Sequence, residues 1–79
     1  MAKVINRVIV KAQGVDFDEI EDEITDNVNG IEDVVCVYAE DFKYELDISV
    51  DPEEFKYHEL EDYVDENIGD IEFIDSWEY

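Results

Sequence analysis

The chain has one cysteine, one proline, three glycines and only five Lys or Arg in 79 residues. Each scarcity excludes something. Cys36 stands alone, so no internal disulfide forms, and without a CxxC or a pair of histidines there is no zinc site. No run of about twenty apolar residues occurs, which excludes a transmembrane helix. The opening Met1-Ala-Lys-Val-Ile-Asn-Arg lacks the apolar stretch of a secretory signal, so the expected compartment is the cytosol, with no membrane association. No Pro/Gly/Ser-rich linker divides the chain, and it reads as one domain over residues 1–79.

What abounds is acid. Twenty-five Asp or Glu stand against 5 Lys or Arg, for a net charge of −20. Apolar residues make up 46 % and aromatics 13 %, too much for a disordered acidic tail. A folded domain therefore carries the charge, although self-repulsion opposes the compact state. A net charge of magnitude about 2–8 is enough for solubility in a small domain. The excess points to a cationic partner or an unusual solvent, and nine Ile against three Ala argue mildly against adaptation to high salt.

Between the few breakers the hydrophobic period changes in order. Residues 3–12 alternate, with Val4, Val8, Val10 and Ala12 on one side and Ile5, Arg7, Ile9 and Lys11 on the other. This predicts a strand. Phe17, Ile20, Ile24 and Val28 then fall on one helical face, Asp16 and Glu19 have capping spacing, and Asn29-Gly30 supplies the stop. Strands are expected at 34–39 and 44–50, joined by Glu40-Asp41-Phe42. Asp51-Pro52-Glu53-Glu54 reads as the start of a second helix, with Asp51 as cap and Pro52 at the first helical position. That helix runs to Asn67 with Tyr57, Leu60, Val64 and Ile68 inward, and a last strand follows over 71–77.

A shift of 40 positions aligns the two halves without a gap: Phe17 falls on Tyr57, Ile20 on Leu60, Ile24 on Val64 and Val28 on Ile68. Two βαβ halves, 3–39 and 43–79, are what a ferredoxin-like βαββαβ sandwich requires. Right-handed crossovers place both helices on one face of a four-stranded antiparallel sheet of order 4-1-3-2. Cys36, in the run Val34-Val35-Cys36-Val37, is expected in the core.

In that order the first and third strands are neighbours, so Lys3, Arg7 and Lys11 are expected to pair with Glu45 and Asp47. The helices are then left almost without cations. Asp18, Glu19, Asp22, Glu23 and Asp26 lie opposite the apolar face of the first helix, and Glu59, Asp62, Asp65 and Glu66 occupy the matching side of the second. Asp51, Glu53 and Glu54 extend the patch. Acids three or four residues apart on a helix repel by about 0.2–0.5 kcal/mol per pair. They recur about every 4.5–6 Å along the axis, against about 3.4 Å per phosphate in a DNA strand.

In composition, size and expected fold the chain resembles the small acidic phage-encoded proteins that block CRISPR effectors, restriction enzymes or repair enzymes by imitating DNA. The resemblance rests on charge, length and compactness, with no shared motif. It implies a protein, encoded by a phage or another mobile element, that inhibits a basic nucleic-acid-binding protein and does not itself bind nucleic acid. Carboxylates can replace phosphates in this role because Arg holds both through the same bidentate geometry.

The alternative is an acidic adaptor or regulatory domain whose basic partner has nothing to do with nucleic acid, acting as a monomer or homodimer. Trp77 and Tyr79 are its candidates for an adhesive edge or dimer seam, against simple core or rim packing. Phe55, turned away from Leu60, is expected either to staple the helix end or to form an exposed apolar contact. Catalysis is not expected. His58 has no nucleophile beside it in sequence, and its one possible thiol partner, Cys36, is assigned to the core. No window matches a calcium-binding loop. No metal site or cofactor is expected.

Overall fold

The computed structural model describes residues 3–78. The elements run β1 (Val4–Lys11), α1 (Phe17–Asn27), β2 (Ile31–Glu40), β3 (Lys43–Val50), α2 (Tyr57–Asn67) and β4 (Asp70–Glu78). They form one four-stranded sheet of order β2-β3-β1-β4, all neighbours antiparallel, which is the ferredoxin-like arrangement.

One face of the sheet builds the core. Val8 and Val10 of β1, Leu46, Ile48 and Val50 of β3 and Val34 of β2 pack beneath Ile20 and Ile24 of α1 and Leu60 and Val64 of α2. Each helix thus buries one apolar stripe and leaves most of its remaining positions to solvent. Asp16 caps α1, its Oδ1 accepting the N–H of Glu19 at 3.0 Å. Gly30 ends the connection to β2 at a φ of 84°, in the left-handed region glycine tolerates.

The second helix starts later than the motif at Asp51 implies. Asp51 Oδ1 accepts from the N–H of Glu53 and its carbonyl accepts from Glu54 and Phe55, so residues 52–54 close a turn, not a first helical coil. Helix α2 begins at Tyr57, with Lys56 at its cap and no side-chain bond there. The turn carries Phe55 over Gly30, where a Cβ would come within 2.6 Å of the Phe55 nitrogen. Phe55 is half-buried against the core and is not a free contact.

Cys36 is also less buried than expected. Strand β2 lies at the sheet edge, and an extra residue, Val37, bulges between the pairs Cys36–Leu46 and Tyr38–Glu45. The thiol is half-buried and donates to the Tyr38 carbonyl at 3.6 Å. Val35, Val37 and Tyr38 are about half exposed, at 50 %, 45 % and 56 %. The apolar run 34–37 is therefore an edge, with only Val34 fully in the core.

The helix-free face follows from the pairing registers. Across β2-β3-β1-β4 its rows read Asp33-Ser49-Ile5-Trp77, Val35-Asp47-Arg7-Asp75, Tyr38-Glu45-Ile9-Glu72 and Glu40-Lys43-Lys11-Asp70. Arg7 meets Asp47 as the sequence implies. Lys11 instead faces Lys43 and Asp70, and Lys3 bridges to Glu32 at 3.0 Å. Trp77 is half-buried beside Ile5 with the Arg7 guanidinium 5.1 Å above its ring, so it packs the sheet surface. Tyr79 lies outside the described residues.

Candidate functional site

Helices α1 and α2 lie side by side on the sheet, and every formal charge within them is negative. Within Phe17–Asn27 there are six acids, within Tyr57–Asn67 five, and neither segment contains Lys or Arg. Lys56 at the cap of α2 is the nearest cation in sequence. The other four, Lys3, Arg7, Lys11 and Lys43, belong to β1, β3 and the residue preceding β1.

Asp18, Glu19, Asp22 and Asp26 are exposed on α1, and Glu59, Asp62, Asp65 and Glu66 on α2. These eight are positioned as the sequence predicts. Glu23 is not: it is half-buried in the seam between the helices, where its Oε1 accepts from the Tyr63 hydroxyl at 3.3 Å. The same hydroxyl accepts from Asn27 Nδ2 at 3.0 Å, and the three groups join the helices into one continuous surface. Burial and the carboxylates of Glu23 and Asp26 raise the pKa of Tyr63. Tyr63 therefore stays a neutral donor at ordinary pH.

Glu53 and Glu54 are exposed on the turn before α2, whereas Asp51 is half-buried and committed to that turn. The patch thus continues beyond α2 through two acids, not three. The structure adds Glu61, exposed on α2, which with Asp65 raises the pKa of the half-buried Tyr57 after the larger effect of burial. The 40-residue repeat carried the signal for it, since Glu61 falls on Glu21 within an all-acid pattern.

The acids are placed against helix stability. Asp26 sits in the last turn of α1 and Asp65 and Glu66 in that of α2, at the negative ends of the helix dipoles, and neither turn has a base. The helix dipole there favours cations by about 0.3–1 kcal/mol each. A surface that gives up this stabilisation at both termini, and omits Lys from every i,i+4 row, is suited to receive cations from outside.

The concave features lie mostly off the helix faces, although one hollow of about 370 Å³ is lined in part by Asp16 and Glu19 at the start of α1. An open hollow of about 530 Å³ between Lys11, Phe42, Lys43 and Gly69 occupies one end of the sheet. Among the described residues no group of three or more His, Cys, Asp or Glu is arranged to hold a metal ion. His58 is exposed on α2, which packs at the β4 edge through Tyr57 and Phe73, while Cys36 lies on the opposite edge strand; the two form no dyad. No helix among the described residues is long and apolar enough to cross a membrane. Compared with protein-family models, with curated proteins and with solved structures, the chain finds no match.

Proposed function

We propose that the protein is a nucleic-acid mimic that inhibits a DNA- or RNA-binding protein by filling its basic cleft. One observation carries this reading: base is excluded from the two-helix layer, whose two segments hold six and five acids and no Lys or Arg. Four of the five cations are set in or beside the two central strands, where Arg7, Lys11 and Lys43 share the helix-free face with seven acids. Solubility alone demands neither the size of the excess nor a helix layer without a base. A basic cleft gains affinity by exchanging counterions for Lys and Arg contacts, and a row of helix carboxylates offers those side chains the same bidentate acceptors as phosphates. CRISPR effectors, restriction enzymes and repair enzymes are the partner classes that fit, in the cytosol of a host cell, and the protein itself is non-catalytic.

The exposed Val35, Val37 and Tyr38 favour a second reading, an acidic adaptor whose basic partner is unrelated to nucleic acid. Affinity capture from nuclease-treated host lysate, with elution by added duplex DNA and mass spectrometry of what is released, separates the two. A nucleic-acid-binding protein released by DNA supports mimicry. A partner retained whatever DNA is added rejects it. The double reversal Glu19→Lys with Asp22→Lys should weaken that capture at least about tenfold; unchanged capture would exclude the α1 patch.

A further inference from the structure

We propose that the free edge of β2 is a docking strand for an extended segment of a partner protein, uncharged in its middle and bearing Lys or Arg at both ends. The two outer strands of the sheet are built differently. Strand β4 carries Asp70, Glu72, Asp75 and Glu78, the frequent charges that keep an edge from pairing. Strand β2 carries no charge from Val34 to Ala39, in a chain that is 38 % charged, and exposes Val35, Val37 and Tyr38 there.

The backbone of that stretch is oriented for pairing. The Val34 N–H is bonded by the Asp33 carboxylate at 3.0 Å, so it points away from β3 toward the open edge. Backbone N–H and C=O groups alternate along an antiparallel strand, so those of Cys36 point the same way. Asp33 holds the place of the carbonyl that an incoming strand would bring. The bulge at Val37 confines regular pairing to Asp33–Cys36, which makes the contact short.

Charge selects the occupant. Glu32 and Asp33 precede the uncharged stretch, and Glu40 and Asp41 follow it. A second copy pairing antiparallel about the centre of β2 would set Asp33 against Glu40 and Glu32 against Asp41, between two bodies of charge −20. A segment with basic ends instead sets its Lys or Arg near Glu32 and Asp33 at one end and Glu40 and Asp41 at the other, where Glu32 and Glu40 also bridge Lys3 and Lys43 at 3.0 and 3.7 Å. Its backbone meets Asp33–Cys36 by strand addition. The inference holds for any basic partner and does not depend on nucleic-acid mimicry.

The test uses the full ¹⁵N-labelled chain and a synthetic peptide of about nine residues, alternating Val and Thr with two Lys at each end. Two controls have Glu for Lys, or N-methylated backbone at alternate positions. Saturable shifts at the Val34–Tyr38 amides, with slowed hydrogen exchange at Val34 and Cys36, are expected. Both controls and the variant Val35→Lys should bind at least about tenfold more weakly, with the variant's other amides unmoved. The proposal is overturned by shifts confined to α1 and α2, by equal binding of the N-methylated peptide, or by no binding at about 1 mM. It is equally overturned if the peptide-free protein dimerises with the Val34 and Cys36 amides protected, since a second copy then covers the edge.

Discussion

Arg7 and Asp47 face each other across the two central strands and are joined by two parallel hydrogen bonds, 2.7 Å from Nε and 2.9 Å from Nη2. The bond to Asp47 is the main reason that the Arg7 pKa is raised further above its ordinary value, and the guanidinium also stacks on Trp77. A planar fork serves both contacts, and an ammonium cannot. Arg7→Lys is therefore expected to lower Tm about as much as Arg7→Ala. Recovery of wild-type Tm in the lysine variant would show that charge alone matters at this position.

The terminal acids of the helices give a prediction in which stability and binding move apart. Asp26→Lys and Glu66→Lys should each raise unfolding stability by about 0.3–1 kcal/mol at low salt, by complementing the helix dipole. The same changes should weaken partner capture. Added NaCl should raise the Tm of the unmodified protein by screening acid–acid repulsion. Denaturant titrations at two salt concentrations check both points, and a Tm that falls with salt contradicts a densely acidic helix surface.

Tyr57 packs edge-on against Phe73 at 5.3 Å between ring centres, with its hydroxyl buried and without a hydrogen-bond partner. Tyr57→Phe removes that oxygen at no cost in hydrogen bonds and should stabilise by about 1 kcal/mol. Tyr57 and Tyr63 both have pKa values raised above the ordinary 10.0. Groups raised in the folded state contribute stability that is complete below the unfolded value and disappears as pH climbs through the folded one. Stability should accordingly fall above pH 10, and less steeply in Tyr57→Phe; an unchanged slope would remove Tyr57 from the cause.

Phe42 occupies the left-handed region, with φ at 64°, and is 56 % exposed at the tip of the β2–β3 hairpin. A bulky residue there is strained by about 1–3 kcal/mol. Phe42→Gly should raise Tm, and a falling Tm would mean that the ring's packing outweighs the backbone.

Gly69 shows the opposite constraint. A Cβ at this position would collide with the Lys11 carbonyl oxygen, which is backbone and cannot swing aside. Gly69→Ala should shift the α2–β4 junction against the end of β1 and cost more than about 1 kcal/mol, measurable by chemical unfolding. An unchanged midpoint would mean that the close approach is relieved at little expense.

The fold was legible because period and repeat agree. Alternation over residues 3–12, the 3-4-4 spacing from Phe17 to Val28 and the 40-residue shift each identify the same βαβ unit. The start of α2 differs from what the local motif implies because Asp51-Pro52-Glu53-Glu54 suits a turn as well as a helix, whereas the repeat sets Phe17 on Tyr57, where both helices begin. The exposure of Val35 and Val37 depends on the bulge and on β2 being outermost, which an apolar run does not disclose. Among the acids, the helical wheel placed eight correctly. It could not place Glu23, because the neighbour that claims it is Tyr63, 40 positions away.

The uneven placement of the five cations gives the molecule a front and a back as a diffusing body. Its helix layer is uniformly acidic, while Arg7, Lys11 and Lys43 partly offset the acids of the bare sheet. In the field of a strongly basic surface such a particle turns before it touches, so most encounters begin with the helices leading. Orientation is thereby settled at a distance of about a Debye length, roughly 8–10 Å at physiological salt, before any side chain has met its counterpart.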